Sequence, residues 1–384
     1  MNIRTIAKGL TWLLLALISY PSQAAVTLDE AGRLGVYGDF RGRVESDWDS
    51  KQSDGTDRDD RTRIRTRLRL GMDYRASDQI TLGFRIRSGS DDSQQSPHVT
   101  VLDLDNNDTG DAHFNFDKWY FKYSSGNVST WLGRNSLPLW KPDELLWDDD
   151  VTPAGLGLTY KSGGLSVNAG YFSNPAGMKN FTGNTGLVQV VFESKIRNID
   201  LLFAGGLITI DGDQNNVNNT LLQDNNGVRD YQLWIGNIQA GMKAFEKPLK
   251  LNLNLYHNSQ DYSASDPDAF TAFHRDETHG YVVSAGLGDT KERGDWLVGY
   301  YYVHIETFAV NNSYAQDDWM RWGSATQTRP SNFEGSEFRA VWGLGGNMNL
   351  LARLYIVEGI KLRTTTSVTK EDGNRFRIDF NWKF

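Results

Sequence analysis

The sequence predicts an all-β protein, a sixteen-stranded antiparallel β-barrel that crosses a membrane with its strands. Three observations predict it. Apolar and charged side chains alternate with a period of two along most of the chain after residue 33. The links between these segments are long and short by turns. No apolar run beyond the N-terminal segment approaches the roughly 20 residues that a membrane helix needs.

Composition narrows the classes further. The chain has 384 residues, 40 Lys and Arg against 48 Asp and Glu, and a net charge of −8. Mean hydropathy is −0.51, which excludes a bundle of membrane helices. There is no Cys, so disulfide frameworks, thiolate–metal sites and Cys catalysis are excluded. Thirty-eight Gly, nine Pro and 12% aromatic residues suit many strands and turns.

The elements follow in chain order. Arg4 and Lys8 precede an apolar stretch from Leu10 to Tyr20, and Ser22-Gln23-Ala24 places small residues before Ala25. This is the pattern of a secretory signal, residues 1–24, with residues 25–384 as a single barrel domain. Its removal leaves a charge of −10. On the first strand Leu34, Val36, Phe40 and Val44 alternate with Tyr37, Asp39, Arg41, Arg43 and Glu45. On the next, Arg61, Arg63, Arg65, Arg67 and Arg69 alternate with Thr62, Ile64, Thr66, Leu68 and Leu70. Successive strand side chains face opposite sides, so one face is a ladder of guanidiniums and the other is largely apolar. Arg85 and Arg87 repeat this phase on the third strand. Seven short turns are read near 76–78, 125–127, 162–164, 196–198, 246–248, 289–294 and 346–348. Eight long loops are read near 47–60, 90–114, 136–154, 174–185, 211–229, 260–278, 310–335 and 361–372. Fifteen links make sixteen strands. An even count with long loops on the outer rim and short turns on the periplasmic rim is the outer-membrane pattern. The last strand alternates Phe376, Ile378, Phe380, Trp382 and Phe384 with Arg375, Arg377, Asp379, Asn381 and Lys383.

This last strand resembles that of Gram-negative outer-membrane porins, which typically ends in an aromatic residue. The resemblance implies that Phe384 is read by the barrel-assembly machinery. The stretch Leu132-Gly133-Arg134, Pro138, Leu145-Leu146-Trp147-Asp148-Asp149-Asp150 and Pro153-Ala154-Gly155-Leu156 is similar to the third long loop of bacterial porins, the putative-porin family in particular. It implies a loop folded into the barrel to narrow it, a homotrimer, and a setting of outer-membrane lipid and lipopolysaccharide. The implied activity is passive diffusion of small hydrophilic solutes.

Physics supports a constriction of that kind. A barrel of about sixteen strands leaves a channel that wall side chains do not fill. The expected wall is Arg41, Arg43, Arg63, Arg65, Arg67, Arg69, Arg85 and Arg87, faced by Asp143, Glu144, Asp148, Asp149 and Asp150 on the loop. Opposed charges across a narrow lumen set up a transverse field over most of the gap, since the Debye length is ~8–10 Å at physiological salt. Such a wall favours anionic solutes. The carboxylates also admit a plainer role, as a loop tip held near lipopolysaccharide by divalent ions. Trp296, Tyr300 and Tyr302 share a strand face that could stack on sugar rings or form an interface girdle.

Other chemistry finds little support. Asp103, Asp105, Asn107, Asp108 and Asp111 lack the register of an EF-hand. The six His form no metal-binding spacing, and no HExxH or GxSxG is present. No metal and no cofactor are expected, and nucleic acid is disfavoured by net charge. A channel specific for acidic sugars or oligosaccharides, a barrel hydrolase and a soluble sandwich are the competing readings.

Overall fold

The computed structural model describes residues 26–29, 31–95, 97–106, 109–263, 268–319 and 330–384. The expected signal segment, residues 1–24, lies outside the described residues. Among them, sixteen long strands pair in chain order. They are β1 (Leu34–Lys51), β2 (Arg61–Arg75), β3 (Ile80–Ser88), β4 (Phe114–Ser125), β5 (Val128–Arg134), β6 (Ala154–Ser162), β7 (Leu165–Ala176) and β8 (Asn180–Ile196). The second half comprises β9 (Ile199–Asp211), β10 (Tyr231–Ala244), β11 (Lys247–Asn258), β12 (His279–Gly288), β13 (Trp296–Ile305), β14 (Phe333–Gly345), β15 (Met348–Gly359) and β16 (Asp372–Lys383). Every neighbouring pair is antiparallel. β16 pairs back onto β1, with Lys383 opposite Asp39 and Arg375 opposite Asp47. Closure matters in a membrane, because an open edge would leave backbone groups without partners in hydrocarbon.

The alternation reads directly onto the two faces. Ile64, Leu68 and Leu70 of β2 and Phe376, Ile378 and Trp382 of β16 are exposed on the outside, whereas Arg65, Arg67, Arg375 and Arg377 are buried inside. The short turns fall where expected, to within one or two residues.

Two loops differ from expectation. Residues 174–185 are not a long loop: β7 runs to Ala176 and β8 starts at Asn180, joined by a tight turn in which Gly177 has φ +81°. The polar residues that suggested a loop pair across the hairpin instead, as in Thr185 Oγ1 donating to Asn174 Oδ1 at 2.5 Å. Residues 89–113 include a short strand, Val99–Asp103, that pairs with Arg63–Thr66 of β2. It extends the wall above β3, which is only nine residues long.

The lumen is not polar all round. Ile208 and Ile210 (β9), Leu233 and Ile235 (β10), and Val303 and Ile305 (β13) point inward and are buried. They form one apolar cluster with loop residues Leu145, Leu146, Trp147, Phe308, Val310, Tyr314 and Trp319. The hydrophobic core therefore sits inside one side of the barrel, built from wall and loops together.

The barrel seam is tight at Gly38. Its N–H donates to the Phe384 carbonyl at 2.8 Å, and the Phe384 N–H donates back to the Gly38 carbonyl at 3.0 Å. A Cβ there would lie 2.6 Å from the Arg69 carbonyl oxygen and 2.7 Å from the Phe384 ring. Gly38→Val should therefore cost about 1–3 kcal/mol, the range for overpacking. Unheated protein should lose its compact gel form at a lower temperature than wild type; an unchanged transition would show that the seam has slack.

Candidate functional site: a lumen between an arginine wall and two inward loops

Alternation places the arginines of β1, β2, β3, β15 and β16 inside one half of the barrel. They do not stand as bare charges. Arg43 donates to Asp379 at 2.6 Å and reaches Asp318 at 3.3 Å. Glu45 is fully buried and sits among Arg63, Arg65 (3.7 Å) and Arg377 (2.5 Å). Arg67 and Arg69 share Asp39, at 2.8 and 2.7 Å. Arg85 holds Asp117 at 2.5 Å, and Asp47 bridges Arg61 and Arg375 at 3.1 and 2.5 Å. Apart from Asp318, each carboxylate comes from the same or an adjacent strand, so most of the compensation is built into the wall. Two of the expected wall residues differ. Arg41 bonds Asn381 at 2.7 Å and makes no ion pair among the described residues. Arg87 is fully buried, and its guanidinium donates to the carbonyls of Ser93 (2.7 Å) and Gln94. It braces the β3–β4 loop and presents no charge to the lumen.

The loop between β5 and β6, residues 135–153, folds into the barrel. Arg134 anchors its base: fully buried, it donates to the carbonyls of Thr152 at 2.9 Å and Met178 at 2.7 Å. The loop then crosses the lumen. On one side the Trp140 N–H donates to Gln189 at 2.8 Å, and Asn254 donates to Asp143 at 2.5 Å. On the other, Asp150 reaches Arg69 at 2.7 Å and Arg67 at 3.4 Å. Of the five loop carboxylates, Asp150 alone makes an ion pair with the arginine wall among the described residues. Asp149 pairs with Lys141 at 2.7 Å, and Asp148 accepts from the Asp150 N–H at 2.7 Å. The expected arrangement has all five acids facing the arginine wall. The turn at 148–151 instead points them in different directions.

A second loop also enters the barrel, and the sequence reading missed it. Residues 306–319, between β13 and β14, are mostly buried. Tyr314 stacks on Trp147 with ring centroids 5.1 Å apart. The Asp148 N–H donates to the Tyr314 carbonyl at 2.7 Å, and the Gln316 N–H to that of Glu144 at 3.0 Å. Asp318 enters the arginine wall, 3.2 Å from Arg353 and in contact with Arg43 and Arg377. A signal was available in Phe308-Ala309-Val310 and in Tyr314 and Trp319, apolar residues in a stretch assigned to polar loop.

Where the two loops meet, carboxyls crowd. Burial, then the charges of Asp149, Asp150 and Asp318, pushes Glu144 up to about 7. Burial and neighbouring Asp318 push Asp317 up to about 6. Burial with Glu144, Asp150 and Asp317 raises Asp148 well above the usual carboxylate range. Asp150 goes the other way: despite its burial, Arg69 and Arg67 hold it below that range.

Two open spaces flank this layer. One of about 400 Å³ lies toward the long loops, lined by Arg61, Arg63, Arg65, Arg375 and Arg377 with Asp92 and Asp317. The other, about 740 Å³, lies toward the short turns and includes Arg41, Arg67, Lys141, Lys250 and Tyr301. Trp296, Tyr300 and Tyr302 contribute to neither space. They alternate with the inward Leu297, Gly299 and Tyr301 and so lie on the outer face, where Tyr300 packs on the exposed Phe338 at 5.2 Å. The expected solute-stacking face is a lipid-side aromatic patch. The neighbour Tyr301 is the lumen aromatic. Among the described residues no group of three or more His, Cys, Asp or Glu could hold a metal ion.

A carboxyl raised in the fold binds its proton more tightly folded than unfolded. Glu144 therefore stabilises the loop layer fully below about 4.5, its ordinary value, and that contribution is lost as pH rises through 7. Amide exchange of residues 144–151 should be faster at pH 8 than at pH 5. Glu144→Gln should slow it at pH 8 and change little at pH 4; equal effects at both would refute the assignment.

The comparisons agree with this geometry. Residues 53–174 match the family described as putative porin, a span that contains β2 to β6, most of β7 and the inward loop. None of the curated proteins matches the chain. Pseudomonas putida OprB, in a high-pH structure, superposes with a TM-score of 0.56 at 13% identity, over 92% of this chain and 94% of that one. Salmonella typhi OmpF, in complex with daunomycin, gives 0.52 at 12%, over 94% and 100%. Vibrio cholerae OmpT expressed in the outer membrane gives 0.50 at 10%, again over 94% and 100%. At such identities the likeness shows the fold. The chain is thus an outer-membrane β-barrel with the porin fold, and its residues 53–174 match the putative-porin family.

Proposed function

We propose that the chain is a porin: a passive diffusion channel for small hydrophilic solutes, leaning toward anions. The observation that carries this reading is the loop of residues 135–153, which spans the lumen from Gln189 and Asn254 to Arg67 and Arg69. It narrows the passage against the arginine wall and leaves space on both sides of itself. Arg41, Arg43, Arg63, Arg65, Arg67, Arg69 and Arg85 line that wall, and their excess over the carboxylates facing them supports the anionic preference. Solutes crossing here meet fixed ion pairs in a confined space, which penalises apolar molecules, since these must displace water held by the charges. The mechanism needs no covalent chemistry and no cofactor.

On the porin resemblance we infer a homotrimer as well. Unheated protein should then migrate at three times the size of heated protein, with no intermediate after cross-linking to completion.

The reading is tested by single-channel conductance in a planar bilayer, with the reversal potential under a KCl gradient. Stable stepwise currents with anion preference are expected. Folded, heat-modifiable protein without current would overturn the channel reading and favour a barrel enzyme. Asp150→Asn removes the loop's countercharge to Arg67 and Arg69. It should raise the anion-to-cation permeability ratio about twofold, the scale of one partly screened charge. A shift toward cations would mean that the loop carboxylates do not oppose the wall.

A further inference from the structure

The arginine wall is where the sequence concentrates positive charge, but most of that charge is already paired. The uncompensated charge lies toward the short turns, at the end of that wall marked by Arg41. In the space toward the short turns, the side chains of Lys250 of β11 and Lys383 of β16 have no hydrogen-bond or ion-pair partner among the described residues, and the Arg41 guanidinium bonds only the neutral Asn381. Arg67, Lys141, Lys291 and Arg339 line the same space, each with a carboxylate within 4 Å. Among the described residues only two carboxylates, Asp39 and Asp289, line it, and both already hold a cation. Leu297, Val341 and Leu351 give it apolar ground. Asn252, Asn349 and Gln239 offer amide donors.

We propose that this space is a solute-holding site for small organic dicarboxylates on the periplasmic side of the inward loop, with Lys250, Lys383 and Arg41 as its anion-binding residues. The proposal rests on the channel reading and names the solute class that this side of the passage retains. Its volume of about 740 Å³ falls in the range of small-molecule sites, ~300–1,000 Å³. A dianion gains twice what a monoanion gains from the same potential, so the excess of cations selects for double charge. The apolar side chains receive a carbon skeleton that an inorganic anion lacks. Flexible lysines on two separate strands suit a site that must release its solute as readily as it takes it. Arg41 differs, being fixed by Asn381 and so a standing anchor for one carboxylate.

The test is calorimetric titration of the full detergent-solubilised barrel with succinate, alongside single-channel recording of the same preparation. Wild type should bind succinate, and the double variant Lys250→Gln, Lys383→Gln should bind it about tenfold more weakly, the scale of charge-assisted hydrogen bonds. Lys195→Gln removes an exposed cation on the short-turn rim that pairs with Asp200 and lies outside this space. It should bind succinate as wild type does. Sulfate, doubly charged but without carbon, should bind more weakly than succinate. Stepwise currents from wild type with no succinate binding would overturn the site while leaving the channel reading intact. So would equal binding by the double variant, or an equal loss in Lys195→Gln, which would reduce the effect to bulk charge. Succinate binding by a barrel that passes no current would support the site and overturn the channel.

Discussion

A charge buried away from water must be neutralised where it stands, and this requirement organises the arginine wall and the loops that meet it. Glu45 and Asp379 are fully buried, each held by arginines from neighbouring strands. Removing one partner of a buried pair costs about 3–5 kcal/mol, because the other is left charged in a poor solvent. The wall therefore behaves as one network. Its arginines keep their direction because carboxylates of β1, β4 and β16 hold them. Two vacancies in that network are filled from outside the wall, by Asp150 of one loop and Asp318 of another. Those two contacts fix where the loops enter the barrel.

The opposite half of the lumen obeys a different rule. Its strands carry Ile, Leu and Val on both faces, so lipid lies on one side and the loops on the other. Trp147, Tyr314 and Phe308 cover inward side chains that water would otherwise meet. Burial of this apolar area holds the two loops to the far wall, while ion pairs hold them to the near one. Open space in the lumen is thereby left beside the arginines. The same layer traps Glu144, Asp148 and Asp317, whose raised values follow from being packed together away from water. The raised carboxyls are a consequence of how the two loops pack on each other, without a separate device.

Much of the architecture was legible, for a physical reason. A strand side chain has only two directions, so Arg61 to Leu70 declares both faces at once. Lipid permits no polar exterior, which removes the remaining ambiguity in phase. Turn positions were legible because alternation stops where the chain reverses. The hairpin at Gly177 was not, because Asn174 and Thr185 are polar residues that satisfy each other across the pair, and composition cannot distinguish them from loop. Trp296, Tyr300 and Tyr302 were legible as sharing one face, but the outer side of that face lies in lipid.

The sequence by itself determined the barrel, its strand count, its closed order and the basic inward face of the first strands. These depend on period-two patterning and on link length, both local properties. Only the tertiary structure decided which charges remain free. Arg63 and Lys250 are both lumen cations on the same reasoning. One lies against Glu45 because β1 and β2 are adjacent, and the other meets no carboxylate across its own pairing. The entry of residues 306–319, and the ending of Asp318 among three arginines, depend on contacts between distant segments, the farthest being Asp318 with Arg43, 275 residues apart. Compensation of charge is a property of distance in space, and alternation along a strand carries no record of it.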